Sequence, residues 1–141
     1  MDLVEIGDVD LTYTSIELLT FGGEGQIYGG MEGRLRGERL SGDLRLTNLA
    51  RRRPDDVNLP TLRGILTTDD EAAVWVELDG IATLRAGDGA RVFVTACRFR
   101  TDSAQHAWVN TVVGVLEGVL DTVGVGGKAH GRIHECRATL T

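Results

Sequence analysis

The sequence predicts an all-β fold: one antiparallel β-barrel holding residues 1–141 as a single domain, with at most one short helix. Three observations lead there. The composition favours strands and turns, with 14 Val, 14 Thr and 6 Ile, and 19 Gly against two Pro. Apolar and polar residues alternate over runs separated by glycine-rich turns at regular spacing. No helical stretch is long enough to cross between parallel strands, so neighbours in sequence should pair antiparallel. Roughly eight or nine such strands would close around an interior that is either packed solid or holds one small ligand.

The elements follow in order. Residues 11–21 alternate Thr12, Thr14, Ile16 and Leu18 against Tyr13, Ser15, Glu17 and Leu19, and Gly22-Gly23-Glu24-Gly25 turns the chain. Residues 26–36 form a second strand, in which Gly29, Gly30 and Gly33 mark a bulge or a tight barrel bend. In a third, residues 39–49, Leu40, Leu44, Leu46 and Asn48 share one face, so Asn48 is a polar group on an apolar side. Residues 50–60 read as a solvated loop. A strand over 61–68 turns at Asp69-Asp70 into residues 72–85, where Val74, Val76 and Leu78 alternate with Trp75, Glu77 and Asp79. Gly87-Asp88-Gly89 leads into a strand over 91–101. Residues 102–107 fit one helical turn capped by Asp102 or Ser103. Residues 109–123 and 128–140 are two more strands around Gly124-Val125-Gly126-Gly127. Val112, Val113, Leu116 and Leu120 also fit a helical period, but the Val and Gly content favours strand.

Several function classes are disfavoured. No apolar run approaches the roughly 18 to 20 residues of a membrane-spanning helix. The first residues, Met1-Asp2-Leu3-Val4-Glu5, have neither a basic nor an apolar leader region, which predicts a cytoplasmic protein that does not contact membranes. A net charge of −6 argues against a general nucleic-acid partner, because that affinity comes largely from phosphate neutralisation. Cys97 and Cys136 are expected to be reduced thiols.

The local motifs have plain readings. Gly124 to Ala129 has the letters of a dinucleotide fingerprint but precedes a strand, whereas that site needs a helix N-terminus. His130 and His134 have the spacing of a helical zinc pair, yet on a strand they lie roughly 13 Å apart, so no metal is expected. Arg51-Arg52-Arg53 could clamp a carboxylate or phosphate, but Asp55 and Asp56 follow at once and local neutralisation is expected. No Gly-x-Ser-x-Gly elbow or cysteine nucleophile motif is present. No cofactor is called for.

The segment from Leu62 to Asn110 is more distinctive. It carries Thr68-Asp69-Asp70-Glu71-Ala72 entering the strand of Trp75, then Arg98-Phe99-Arg100-Thr101, then His106-Ala107-Trp108-Val109-Asn110. This resembles the small β-barrel family known as domain of unknown function 3237. Its members carry a Thr-Asp-Asp-Gly-Ala turn, an Arg-Phe-x-Thr strand end and a Tyr-x-Trp-Leu-Asn segment. Glu71, His106 and Val109 depart from that pattern, and Thr47-Asn48-Leu49 stands nearest to a Gly-Gly-Asp-Trp element that is absent. The resemblance implies an antiparallel barrel that often self-associates, as a homodimer or higher homo-oligomer, and implies no particular reaction.

Two candidate faces emerge. Trp108 and Asn110 share a face if their segment is extended, with His106 on the same parity, combining an indole, an amide and an imidazole. Trp75 and Glu77 share another. If that face points inward, Glu77 is a carboxylate in an apolar cavity and a candidate general base. If Val74, Val76 and Leu78 point inward, Glu77 meets solvent, and patterning favours this arrangement. Two functions fit a barrel with such a cavity. One is a cofactor-independent isomerase, cyclase or lyase acting on a small apolar, polyketide-like compound, with Glu77 or His106 moving a proton. Arg63, Arg98 or Asn110 would steady an oxyanion, and Asn48, Trp75 and Trp108 would complete the ligand contacts. The other is a lipocalin-like binding or carrier barrel without chemistry. Titratable groups converging inside the cavity would favour the enzyme.

Overall fold

Alternation decides which way each strand faces, and the sheet it builds closes on itself. The computed structural model describes residues 1–140. Its strands are β1 (Asp2–Phe21), β2 (Glu24–Arg36), β3 (Gly42–Asn48), β4 (Arg51–Arg52), β5 (Asn58–Leu59), β6 (Thr61–Thr68), β7 (Ala73–Leu84), β8 (Arg91–Arg100), β9 (Val113–Leu120) and β10 (Lys128–Arg137). Eight of them form the barrel as an antiparallel meander, β1-β2-β3-β6-β7-β8-β9-β10, and β10 pairs back onto β1. The two-residue strands β4 and β5 bridge β2 to β7 at one end, beyond the reach of the shorter β3 and β6. The expected loop over 50–60 thus forms part of the wall.

The inner faces are apolar. Val9 and Leu11 of β1, Leu35 of β2, Leu66 of β6, Val74, Val76 and Leu78 of β7, and Ile133 of β10 are all at most 4% exposed. Outside, Arg34 pairs with Asp43 at 3.0 Å and Asp69 at 2.8 Å, and Arg132 pairs with Asp8 at 2.9 Å. An apolar inside with ion pairs outside reverses the faces of a membrane-spanning barrel. No helix among the described residues is long and apolar enough to cross a membrane. Past the barrel wall, β1 and β2 continue as a hairpin arm on which Leu18, Leu19 and Phe21 are exposed.

Two differences from the sequence reading have local causes. β1 begins at Asp2 rather than residue 11, because a register shift between Glu5 and Gly7 breaks the period: Ile6 and Val9 both face inward three positions apart. The helical segment is a 3-10 turn over Ala107–Thr111, not a turn over 102–107, and no side chain caps it. Both cysteines are free. Cys97 is fully buried in the core, and burial pushes its thiol up to about 12. Glycine matters most where strands crowd. A Cβ on Gly33 would lie 1.7 Å from the Asp10 carbonyl oxygen, and one on Gly29 would lie 2.7 Å from the Tyr13 ring.

The two ends differ. One is plugged by the 3-10 turn and the β2–β3 connection, with Leu40, Val74 and Val109 at most 1% exposed. The other, where β4 and β5 lie, contains a cavity.

Candidate functional site

The cavity measures about 50 Å3 and is walled mainly by apolar side chains, among them Leu11, Ile27, Met31, Leu62, Leu78 and Leu116. Five polar residues also line it: Tyr13, Asn48, Asn58, Arg91 and Thr95. Each reaches it through strand parity or through the β4–β5 bridge.

Tyr13 points inward from β1 beside Gly29 and is 2% exposed. Asn48, the last residue of β3, donates from Nδ2 to the Tyr13 hydroxyl at 2.8 Å, while its Oδ1 accepts the Thr61 N–H at 3.3 Å. The phenol oxygen is therefore an acceptor in that bond, and its own hydrogen meets no acceptor among the described residues. Burial raises the phenol above its ordinary pKa, only partly offset by the Asn48 bond, so the proton stays on. Thr95 sits mid-strand on β8, and its buried Oγ1 has no hydrogen-bond partner. Arg91 opens β8 at the cavity mouth, 6% exposed, and donates from Nη1 to the Asp56 carbonyl and from Nη2 to the Asp56 carboxylate at 2.9 Å. Asp56 is held there with φ of 66°. Arg52 lies 3.7 Å from the same carboxylate and donates from Nε to Asn58 Oδ1 at 2.8 Å. Spare donors face this space, and no Asp, Glu or His side chain lines it.

Of the residues singled out in the sequence, Asn48 lies in the cavity. Trp75, Glu77, Arg63 and Arg98 lie on the outer surface, because Val74, Val76 and Leu78 take the inward positions of β7. There Arg63, Glu77 and Arg98 stand side by side on β6, β7 and β8. Glu77 sits 3.7 Å from each guanidinium and accepts the Trp75 indole N–H at 3.4 Å, and Arg63 also pairs with Asp79 at 3.0 Å. This is an ion ladder on a sheet face, so the inward-facing alternative for Glu77 is corrected.

His106, Trp108 and Asn110 lie at the plugged end, and the expectation that an extended segment aligns them is corrected by the 3-10 turn. His106 is 7% exposed and its Nε2 sits 2.9 and 3.0 Å from the Asp70 carboxylate oxygens. The Thr68 hydroxyl also donates to Asp70, and these two bonds hold its carboxyl below the usual range. Asn110 is bonded twice to Thr101, accepting its N–H at 2.8 Å and donating to its carbonyl at 2.9 Å. The Arg39 guanidinium stacks over Trp108 at 4.2 Å. The Thr101 hydroxyl donates to the Ala73 carbonyl at 2.8 Å, tying the latch to β7. The three motifs behind the family resemblance thus meet in one structural latch.

Tyr13, Asn58, Arg91 and Thr95 escaped the sequence reading. Thr95 could have been found by the signal that marked Asn48, since it breaks the apolar series Phe93, Cys97, Phe99 on one strand face. Arg91 and Asn58 carried no such signal, because the β4–β5 bridge that brings them together is set by tertiary pairing.

No protein-family model matches the chain, and no curated protein matches it. Solved structures do share its fold. A beta-barrel like protein from Acinetobacter baumannii is similar at a TM-score of 0.82 and 15% identity, with 96% of each chain covered. A conserved protein of unknown function from Rhodopseudomonas palustris is similar at 0.80 and 17%, covering 95% of this chain and 96% of that one. An enzyme from Penicillium herquei is similar at 0.69 and 18%, covering 94% and 93%. At these identities the likeness shows the fold: a closed antiparallel barrel.

Proposed function

We propose that the chain is a small-molecule-binding barrel whose cavity, between β4–β5 and the β9–β10 turn, takes a small, largely apolar molecule bearing a carbonyl oxygen. The observation that carries this reading is the buried Thr95 hydroxyl, left without a partner in a mainly apolar cavity. A buried polar group normally has a partner, and leaving one unpaired costs about 1–3 kcal/mol. Tyr13 offers a second unused hydroxyl hydrogen in the same cavity. The volume of about 50 Å3 is a third of the roughly 150 Å3 that admits benzene, so a ring-sized guest requires side chains to give way. Met31, unbranched and lining the cavity, is suited to that.

A second reading, a cofactor-independent isomerase, cyclase or lyase, draws on the likeness to the Penicillium herquei enzyme. In this chain such chemistry would use Tyr13 as proton donor, since Glu77 and His106 are engaged outside the cavity. The three latch motifs fit membership of the family known as domain of unknown function 3237, as parts of the fold rather than of the site. Methyl NMR with cyclopentanone tests the binding reading. Shifts are expected at Met31, Leu116 and Leu120, and Ala82→Leu, which fills the cavity wall, should abolish them at an unchanged fold. Shifts confined to Leu40 and Val109 would reject the cavity as the site.

A further inference from the structure

The cavity mouth carries more positive charge than its carboxylates neutralise. Arg52 and Arg91 both lean on the single carboxylate of Asp56, Arg53 is taken by Asp55, and Arg51 forms no ion pair among the described residues. The expectation that the Arg51-Arg52-Arg53 run is neutralised by its own loop therefore holds for Arg53 with Asp55 and for Arg52 with Asp56, which Arg52 shares with Arg91. Arg91 is the informative member. Its guanidinium is buried at the mouth, and its Nε–H meets no acceptor among the described residues. Four residues further along the same inward face, Thr95 presents its unpartnered hydroxyl deeper in the cavity. Four residues of strand span roughly 13 Å between backbones. The site thus has a cationic grip at the mouth and a neutral hydroxyl inside, with apolar wall between them.

Resting on the binding reading above, we propose that the ligand class is a short oxo acid, its carboxylate at Arg91 and its carbonyl oxygen at Thr95. Arginine matches a carboxylate better than any other side chain, and a hydroxyl without a partner accommodates a carbonyl without displacing an existing bond. A purely apolar guest would leave the Thr95 hydroxyl unpaired and Arg91 and Arg52 still sharing one carboxylate.

Three matched probes separate the parts: 4-oxopentanoate, pentanoate without the ketone, and 2-pentanone without the carboxylate, each titrated by NMR or calorimetry. The oxo acid should bind about tenfold tighter than either partial probe. Thr95→Val, close in shape, should reduce the oxo acid to the affinity of pentanoate while leaving pentanoate itself unchanged. Arg91→Lys should weaken both acids and spare 2-pentanone; if that variant does not fold, the Thr95→Val comparison decides alone. Should 2-pentanone bind as tightly as the oxo acid, or Thr95→Val leave the oxo acid unaffected, the oxo-acid assignment is overturned while the cavity reading stands. Absence of binding by all three probes at tens of millimolar overturns both.

Discussion

The two ends of the barrel use their polar side chains in opposite ways. At the plugged end Asn110 closes a pair of hydrogen bonds on Thr101, His106 and Thr68 converge on Asp70, and Arg39 covers Trp108. There the His106 Nδ1 is the one buried side-chain atom without a partner among the described residues. At the cavity end Thr95 and Tyr13 hold hydroxyl hydrogens that nothing accepts, and Arg91 shares its counterion. Apart from that nitrogen, the polar groups that hold this end shut are satisfied by the chain itself. Those positioned for a guest are not, and they survive in an apolar setting because neighbouring backbone and side chains fix them from behind. The richest collection of chemically suggestive residues in the sequence belongs to the first kind.

The comparison can be broken most sharply by truncating core residues at each end. Leu40→Ala, in the plug at 1% exposure, should cost about 2–5 kcal/mol in denaturant unfolding. Leu120→Ala, 9% exposed and already facing the cavity, should fall at the low end of that range, because part of its surface has no neighbour to lose. Equal losses would show that the two ends are equally well packed.

Asn110→Leu should lower stability by about 1 kcal/mol, since it strips Thr101 of both backbone partners where solvent can partly replace them. Binding of cyclopentanone should not change. A weakened guest with an unchanged melting temperature would move the site to the plugged end and reverse the comparison.

The smallest effect concerns pH. The Thr68 hydroxyl, and after it His106, depresses the Asp70 carboxyl from 3.8. A depressed carboxyl contributes stability that is fully present above its unfolded value and lost as pH falls through the folded one. The gap in melting temperature between the natural chain and Asp70→Asn should therefore narrow as the pH falls below about 4. A gap that does not narrow as the pH is lowered below about 4 would mean that Asp70 acts by shape rather than by charge. Exposure of the carboxylate keeps the whole effect modest.

Particular residues show how much was legible in advance. Strand positions and turns followed from alternation and glycine, and the inward choice of Val74, Val76 and Leu78 over Glu77 followed from apolar parity alone. Asn48 was found as a polar residue on an apolar face. Thr95 obeys the same rule and went unused, because a threonine in a strand is ordinary until its hydroxyl is seen to lack a partner. The first strand was hidden by a bulge that shifts the period between Glu5 and Gly7. Trp108 and Asn110 misled because they share a face only if their segment is extended, and it is a 3-10 turn.

What the sequence by itself determined is the class of fold, since period-two patterning and turn chemistry are local properties that each segment carries alone. Only the tertiary structure decided where the cavity lies and what lines it. Tyr13, Asn48, Asn58, Arg91 and Thr95 come from four different strands. They meet because barrel closure and the β4–β5 bridge fix their register, and no local pattern encodes a meeting between distant segments.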